Sequence, residues 1–97
     1  MPMKIAFDIN GTLRRTELVE TQAMINFLKI LKKAGHFIIV WSGDDIGEIN
    51  KFITTYQLEA YVDLAICKLN IRSENLPDIA FDDSDFAYMA KLATIKV

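Results

Sequence analysis

Short hydrophobic runs alternate with longer amphipathic segments along the first part of this chain. Lys4 to Ile9 is predicted as a strand covered on both faces, because its apolar residues Ile5, Ala6, Phe7 and Ile9 do not alternate cleanly with polar ones. Phe37 to Trp41 is fully apolar, short and rich in β-branched and aromatic residues, which also indicates a strand. Between them, Glu17 to Ala34 carries apolar residues at helical spacing, and Gly35 is a residue type that commonly follows a helix. The pattern therefore predicts a strand, a helix and a second strand.

The second half of the chain repeats this alternation. Asp45 is placed to cap a second helix, and Tyr61 to Cys67 and Asp78 to Phe81 are predicted as the third and fourth strands. A last amphipathic helix is predicted with its apolar face at Phe86, Met89, Ala90 and Ala93. Strands that alternate with helices predict a small three-layer, Rossmann-like α/β domain with a short parallel sheet.

Length and composition limit the classes of protein to consider. The 97 residues suit one domain, 1–97, and 52% apolar with 25% charged residues is typical of a globular protein. A net charge of −2 argues against a broad basic surface, so nucleic acid is expected only as a substrate. One cysteine and no apolar run long enough for a membrane span predict a cytoplasmic protein without a membrane partner.

Polar residues follow each of the four predicted strands. In an open parallel sheet, ligands bind outside the carboxyl ends of the strands. Four separate strands would therefore bring their polar residues to one crevice. These residues are Asp8 and Asn10 after the first strand, Ser42 after the second, Lys68 after the third, and Asp82 and Asp83 after the fourth.

The residue types in this crevice suit phosphate chemistry. Carboxylates packed together repel one another, and a hard cation such as Mg²⁺ relieves that repulsion. Ser42 offers a hydroxyl group and Lys68 a positive charge, while the backbone N–H groups around Gly11 and Thr12 could form an anion-binding concavity. Acidic groups, a metal, a lysine and hydrogen-bond donors together indicate a phosphoryl site.

The order of these residues resembles the motifs of the haloacid dehalogenase superfamily. Phe7 to Leu13 resembles its first motif, which usually reads Asp-x-Asp-Gly-Thr, and Ile38 to Gly43 is similar to its second, an apolar strand ending in Ser or Thr. Lys68 lies where the third motif places its lysine, and Ile79 to Asp83 resembles the fourth motif. The four motifs occur in the family's order and span most of the chain.

The resemblance implies a role for each of these positions. Asp8 would be the nucleophile that forms an aspartyl-phosphate, and Lys68 would bridge that carboxylate and the phosphate. Mg²⁺ would be held by Asp8, the backbone carbonyl of Asn10 and the acidic pair. Within the pair, Asp83 is favoured as the direct ligand over Asp82, and the reverse stays open. The implied phosphate-binding residues are Gly11, Thr12, Ser42, Gly43 and Lys68.

Position 10 departs from the family's pattern. Phosphatases of the family usually have aspartate there as the general acid and base, whereas this chain has Asn10. Losing such a group typically costs a factor of about 10²–10⁴ in rate. Two functions therefore remain: a slow Mg²⁺-dependent phosphohydrolase, or a catalytically impaired pseudophosphatase that binds phosphate or a partner protein. The phosphohydrolase is the leading hypothesis because Asp8, Ser42, Lys68 and Asp83 are all present, whereas Asn10 favours the pseudophosphatase.

The chain also lacks the cap domain of many family members. Only Leu13 to Thr16 separates the first motif from the first helix, so the site is expected to be open. An open site can accept a macromolecular phosphate, or it can be covered by a partner subunit. Both the substrate and the oligomeric state therefore stay open. Arg14 and Arg15 lie beside the expected mouth and could meet additional phosphate charge. A receiver-like signalling domain ranks low because Lys68 precedes Asp82 and Asp83.

Overall fold

The structure, a computed structural model, describes residues 2–84 and 90–97. Its elements are β1 (Lys4–Asp8), α1 (Leu18–Lys33), β2 (Phe37–Ser42), α2 (Ile46–Thr55), β3 (Leu64–Cys67), β4 (Ile79–Asp82) and β5 (Ala93–Lys96). Two short 3₁₀ segments, Lys68–Asn70 and Ser73–Asn75, lie between β3 and β4. All strand pairs are parallel, and the sheet order is β3-β2-β1-β4-β5. This is the predicted small Rossmann-like α/β fold.

The central strands β1 and β2 are buried on both faces, as their almost uninterrupted apolar sequences require. Alternate side chains of β1 and β2 pack against both helices on one face, where the core includes Phe7, Val40, Ile25, Leu28 and Phe52. On the opposite face, Ile39 and Trp41 contact Ile71 of the β3–β4 connection and Ala90. In the described ranges, therefore, the third layer consists of connecting segments. No helix within those ranges is long and apolar enough to span a bilayer.

Local sequence signals account for the helix ends. The Asp45 side chain accepts a hydrogen bond from the Glu48 backbone N–H at 3.0 Å, which confirms the predicted cap of α2. Gly35 follows α1 with φ of +97°, and its N–H donates to the Lys32 carbonyl at 3.0 Å. That left-handed conformation favours glycine, so the predicted end of α1 is also confirmed.

The prediction for the C-terminal segment is wrong where the structure describes it. Ala93 does not belong to a helix: it begins β5 and pairs with Ile79, and Ala90 lies in a bend. The β-branched residues Thr94 and Ile95 suit a strand beside β4, and this pairing overrides the helical spacing. The predicted helix positions Phe86 and Met89 lie outside the described residues.

The other predicted boundaries differ by only a few residues. β1 ends at Asp8, because the Ile9 carbonyl accepts hydrogen bonds from the backbone N–H groups of Thr12 and Arg14 in the following turn. β3 begins at Leu64 rather than Tyr61, whose N–H donates to the Leu58 carbonyl in a turn. These shifts leave the strand ends that carry the predicted site in place.

Asp63 connects α1, β2 and the start of β3 at the end of the sheet where the parallel strands begin. Its Oδ1 lies 2.7 Å from Lys32 Nζ, and its Oδ2 accepts from the Ile38 backbone N–H at 2.8 Å. Burial alone would raise the pKa of Asp63, but the hydrogen bonds from Lys32 and Ile38 outweigh it and lower the pKa below its ordinary value.

We expect Asp63→Ala to lower the free energy of unfolding by about 1 kcal/mol at pH 7, because Asp63 is exposed and solvent screens its charged contacts. Because the folded pKa is depressed, the stabilisation is present above about pH 4 and is lost as the pH falls through the folded pKa. Urea unfolding of both proteins at pH 7 and pH 3 measures this. An undiminished difference at pH 3 would contradict it, and Glu59→Gln, an exposed residue nearby in sequence, is the control.

Candidate functional site

The carboxyl edge of the sheet gathers the polar residues that the sequence placed there. Asp8, Ser42 and Asp82 are the last residues of β1, β2 and β4. All three are buried, with exposed fractions of 6%, 4% and 3%. The sheet order reverses between β1 and β4, which is where parallel sheets open a ligand crevice. Asp8 and Asp82 border that crevice.

Lys68 joins the two buried carboxylates. It follows β3 directly, and its Nζ lies 3.1 Å from Asp8 Oδ1 and 2.6 Å from Asp82 Oδ2. The same Nζ lies 5.9 Å from the centroid of the Trp41 ring, which is fully buried beneath the site. The structure thus brings together residues of the first, third and fourth predicted motifs.

One lysine does not balance the negative charge of this cluster. Burial raises the pKa of Asp8 to about 6 although Lys68 opposes the shift, and the charges of Asp82 and Asp83 raise it further. For Asp82, burial also favours the neutral acid, but hydrogen bonds from Lys68 and Ser84 outweigh it and lower the pKa. Burial would lower the pKa of Lys68, whereas its contacts with Asp82 and Asp8 raise it. Of the two buried carboxylates, Asp8 is therefore the one whose ionised form is less compensated.

Asp8, Asp82 and Asp83 each offer an oxygen, and these oxygens all lie within 4.8 Å of one another. Both oxygens of Asp82 already have partners, because Oδ2 accepts from Lys68 and Oδ1 from the Ser84 N–H and hydroxyl at 3.1 and 2.9 Å. Asp83 is exposed at the rim of the cluster. This difference favours Asp8 and Asp83 as direct ligands of a cation, with Asp82 holding Lys68.

Gly11 makes room for the Asp83 carboxylate. Its φ is +85°, and a Cβ built there would overlap that carboxylate, 2.6 Å from its Cγ. Any other residue at position 11 would meet both backbone strain and this contact. The glycine of the first motif therefore has a steric role in the acidic cluster.

The loop after β1 differs from the anion-binding concavity that the sequence indicated. The N–H groups of Gly11 and Thr12 donate to the carbonyls of Arg14 and Ile9 at 3.0 and 3.2 Å. A phosphate contact from these two groups requires those hydrogen bonds to open. The Thr12 hydroxyl is buried and lacks a hydrogen-bond partner among the described residues. Gly43 is exposed and offers only its backbone.

Asn10 belongs to a network between the loops after β1 and β2. It is exposed, its Nδ2 donates to Asp44 Oδ2 at 3.3 Å, and its Oδ1 accepts from Arg14 Nη1 at 2.8 Å. The Ser42 hydroxyl accepts from the Asp44 N–H at 3.2 Å and donates to the same Oδ2 at 3.4 Å. Asp44 thus connects two predicted site residues.

The site residues predicted from the sequence include neither Asp44 nor Ser84. Both belong to short side-chain turns in which a polar residue hydrogen-bonds two positions away, Ser42 with Asp44 and Asp82 with Ser84. Such Ser-x-Asp and Asp-x-Ser spacings are a visible turn signal in the sequence.

Comparison with known proteins found no matching family model, no matching curated protein and no matching solved structure.

Proposed function

We propose that this chain is a Mg²⁺-dependent phosphohydrolase of the haloacid dehalogenase type, acting through an aspartyl-phosphate on Asp8. The observation that carries the proposal is the position of Lys68 Nζ between the buried carboxylates of Asp8 and Asp82, with Asp83 beside them. A lysine bonded to the attacking carboxylate is also close enough to meet an incoming phosphate. The single cysteine is consistent with a cytoplasmic location, which is part of the proposal.

In the first step, a carboxylate oxygen of Asp8 attacks phosphorus, and the bond from phosphorus to the leaving oxygen breaks. Asp8 has a pKa of about 6, so its attacking form predominates at neutral pH. Lys68 holds Asp8 Oδ1 and supplies positive charge as negative charge builds on the phosphoryl oxygens. Water then attacks the aspartyl-phosphate, which releases phosphate and restores the carboxylate.

The donor set fits Mg²⁺. Three carboxylates lie close together and Lys68 contacts two of them, so negative charge is left over, and hard oxygen donors are those that Mg²⁺ prefers. Asp8, Asp83 and the backbone carbonyl of Asn10 would hold the ion, while Asp82 is occupied by Lys68 and Ser84. When bound, the ion supplies charge neutralisation between the carboxylates and a phosphoryl group.

Asn10 supports a second candidate function, a pseudophosphatase that binds phosphate or a partner protein. An amide cannot give a proton to the leaving oxygen or take one from water near neutral pH. Its side chain is instead engaged with Asp44 and Arg14. The phosphohydrolase is therefore expected to be slow, with leaving groups that need little protonation reacting best.

Mg²⁺ is expected to stabilise the fold. A ligand that binds only the native state adds about 2.7 kcal/mol at a hundredfold excess over its dissociation constant, on the order of 10 °C for a domain of this size. We expect Asp83→Asn to lose this shift and, without metal, to be at least as stable as wild type, because one repelling carboxylate is gone. Thermal melts with Mg²⁺ and with a chelator measure both effects.

Two glycine variants sharpen this test. Gly11→Ala would displace the Asp83 carboxylate, so we expect a lower melting temperature and a much smaller response to Mg²⁺. Gly35→Ala is the control, because position 35 has a similar left-handed conformation but no atom near the added Cβ. The backbone strain should cost about 1–2 kcal/mol of stability, while the full shift in melting temperature with Mg²⁺ is kept. Equal Mg²⁺ shifts in wild type, Asp83→Asn and Gly11→Ala, or no shift up to millimolar Mg²⁺, would count against the site.

A further inference from the structure

A groove of about 510 Å³ opens beside the acidic cluster. Its lining includes Gly11 and Asp83, so it is continuous with the candidate phosphate site, and it also includes Arg14, Arg15 and Glu20. The volume is within the range of pockets that hold small-molecule ligands. Two consecutive arginines therefore line a groove that reaches the Asp83 side of the acidic cluster.

Both arginines are held by the loop that follows the proposed nucleophile. Arg15 Nη1 donates to the Gly11 carbonyl at 2.7 Å, and Arg14 Nη1 donates to Asn10 Oδ1 at 2.8 Å. The Arg14 guanidinium also lies 5.2 Å from the centroid of the Phe52 ring. Each of these hydrogen bonds uses one of the five N–H donors of a guanidinium group. The other N–H donors of the planar guanidinium group are spaced to bind two phosphate oxygens at once.

We propose that this groove binds a second phosphate of the ligand, so that the preferred ligands are small bisphosphates rather than monophosphates. The inference rests on the phosphate site proposed above and names the class of compound that the site selects. Glu20 lies in the same groove and opposes a second anion. Removing its charge is therefore expected to act in the opposite direction from removing either arginine.

Isothermal titration calorimetry in Mg²⁺ tests the inference through paired dissociation constants. One pair is adenosine 3′,5′-bisphosphate and adenosine 5′-monophosphate, and the other is a hexose bisphosphate and its monophosphate. In wild type we expect each bisphosphate to bind about tenfold more tightly, the usual effect of a charged hydrogen bond. The preference should fall toward one in Arg14→Gln and Arg15→Gln, rise in Glu20→Gln, and decrease with added salt.

Arg72→Gln is the matched control. Arg72 is exposed and precedes the Ser73–Asn75 segment, whose Asn75 contacts Lys4 at the opposite edge of the sheet, so the preference should be unchanged. A preference in the nucleoside pair alone would support the groove and assign it to nucleotides. Equal binding of both members of each pair, or a preference that survives both arginine substitutions, would overturn the inference. Failure to bind any of the four compounds would overturn the phosphate site itself.

Discussion

Asp8→Asn is expected to abolish phosphatase activity, with a loss of roughly 10⁴-fold or more, as when other covalent catalysts lose their nucleophile. It should also abolish Mg²⁺-dependent binding of beryllofluoride, a phosphoryl mimic that needs the Asp8 oxygen, the Ser42 hydroxyl and the Lys68 charge. Turnover of an aryl phosphate and equilibrium binding of beryllofluoride measure the two effects. Burial raises the pKa of Asp8 to about 6, but the contact with Lys68 limits the rise, so Asp8 keeps an ionised oxygen for attack at neutral pH.

The fold should tolerate this substitution. An asparagine Oδ1 can still accept from Lys68 Nζ, and the amide carries no charge to bury. Asp78→Asn is the matched control, because Asp78 Oδ2 accepts from the Lys4 N–H at the amino edge of the sheet, away from the site. If Asp8→Asn folded and hydrolysed the aryl phosphate as fast as wild type, Asp8 would not be the nucleophile.

Asn10→Asp is expected to raise phosphatase turnover by about 10²–10⁴, the usual contribution of a general acid and base. The substituted side chain keeps the acceptor that Arg14 uses, but it replaces the donor that faces Asp44 with a second carboxylate oxygen. That repulsion would turn the new carboxylate away from Asp44 or weaken the loop contact.

The double variant Asn10→Asp/Asp44→Asn restores a hydrogen-bond donor at position 44 for the acceptor at position 10. Its phosphatase turnover should therefore be at least as high as that of Asn10→Asp alone. Asp44→Asn by itself is the control and should gain no activity. The assays need fresh protein checked by mass spectrometry, since Asn10-Gly11 is a sequence prone to deamidation. If Asn10→Asp folds and binds Mg²⁺ yet hydrolyses no substrate of a broad panel faster than wild type, the impaired-phosphatase interpretation fails.

The sheet could be predicted because its strands have a recognisable sequence pattern. Runs such as Phe37 to Trp41 are short, apolar and β-branched, and a parallel sheet must bury them on both faces. The same regularity places Asp8, Ser42 and Asp82 at one edge, since parallel strands all end on the same side. Lys68 could be placed at the same crevice because it directly follows the third strand, and the family resemblance added its contact with Asp8.

Contacts between loops could not be predicted in the same way. Asn10 meets Asp44 across 34 positions of the sequence, and that contact depends on how two turns lie relative to each other. The hydrogen bonds inside the Gly11–Arg14 turn likewise use donors that the sequence pattern left available for an anion. In the C-terminal segment, Ala90 and Ala93 have helical spacing, but the pairing of Ala93–Lys96 with β4 decides the conformation.

Direct detection of a phosphorylated Asp8 tests the central claim most directly. An aryl phosphate has a leaving group that needs little protonation, so the first step should proceed despite Asn10, whereas attack by water on the intermediate lacks a general base. The aspartyl-phosphate should therefore accumulate. Protein incubated with an aryl phosphate and Mg²⁺, quenched in acid and digested, is analysed by peptide mass spectrometry. The account predicts one phosphoryl group on the peptide that contains Asp8, absent with a chelator and in Asp8→Asn. Turnover of the aryl phosphate with no phosphoryl group on that peptide, or with one on another residue, would contradict it.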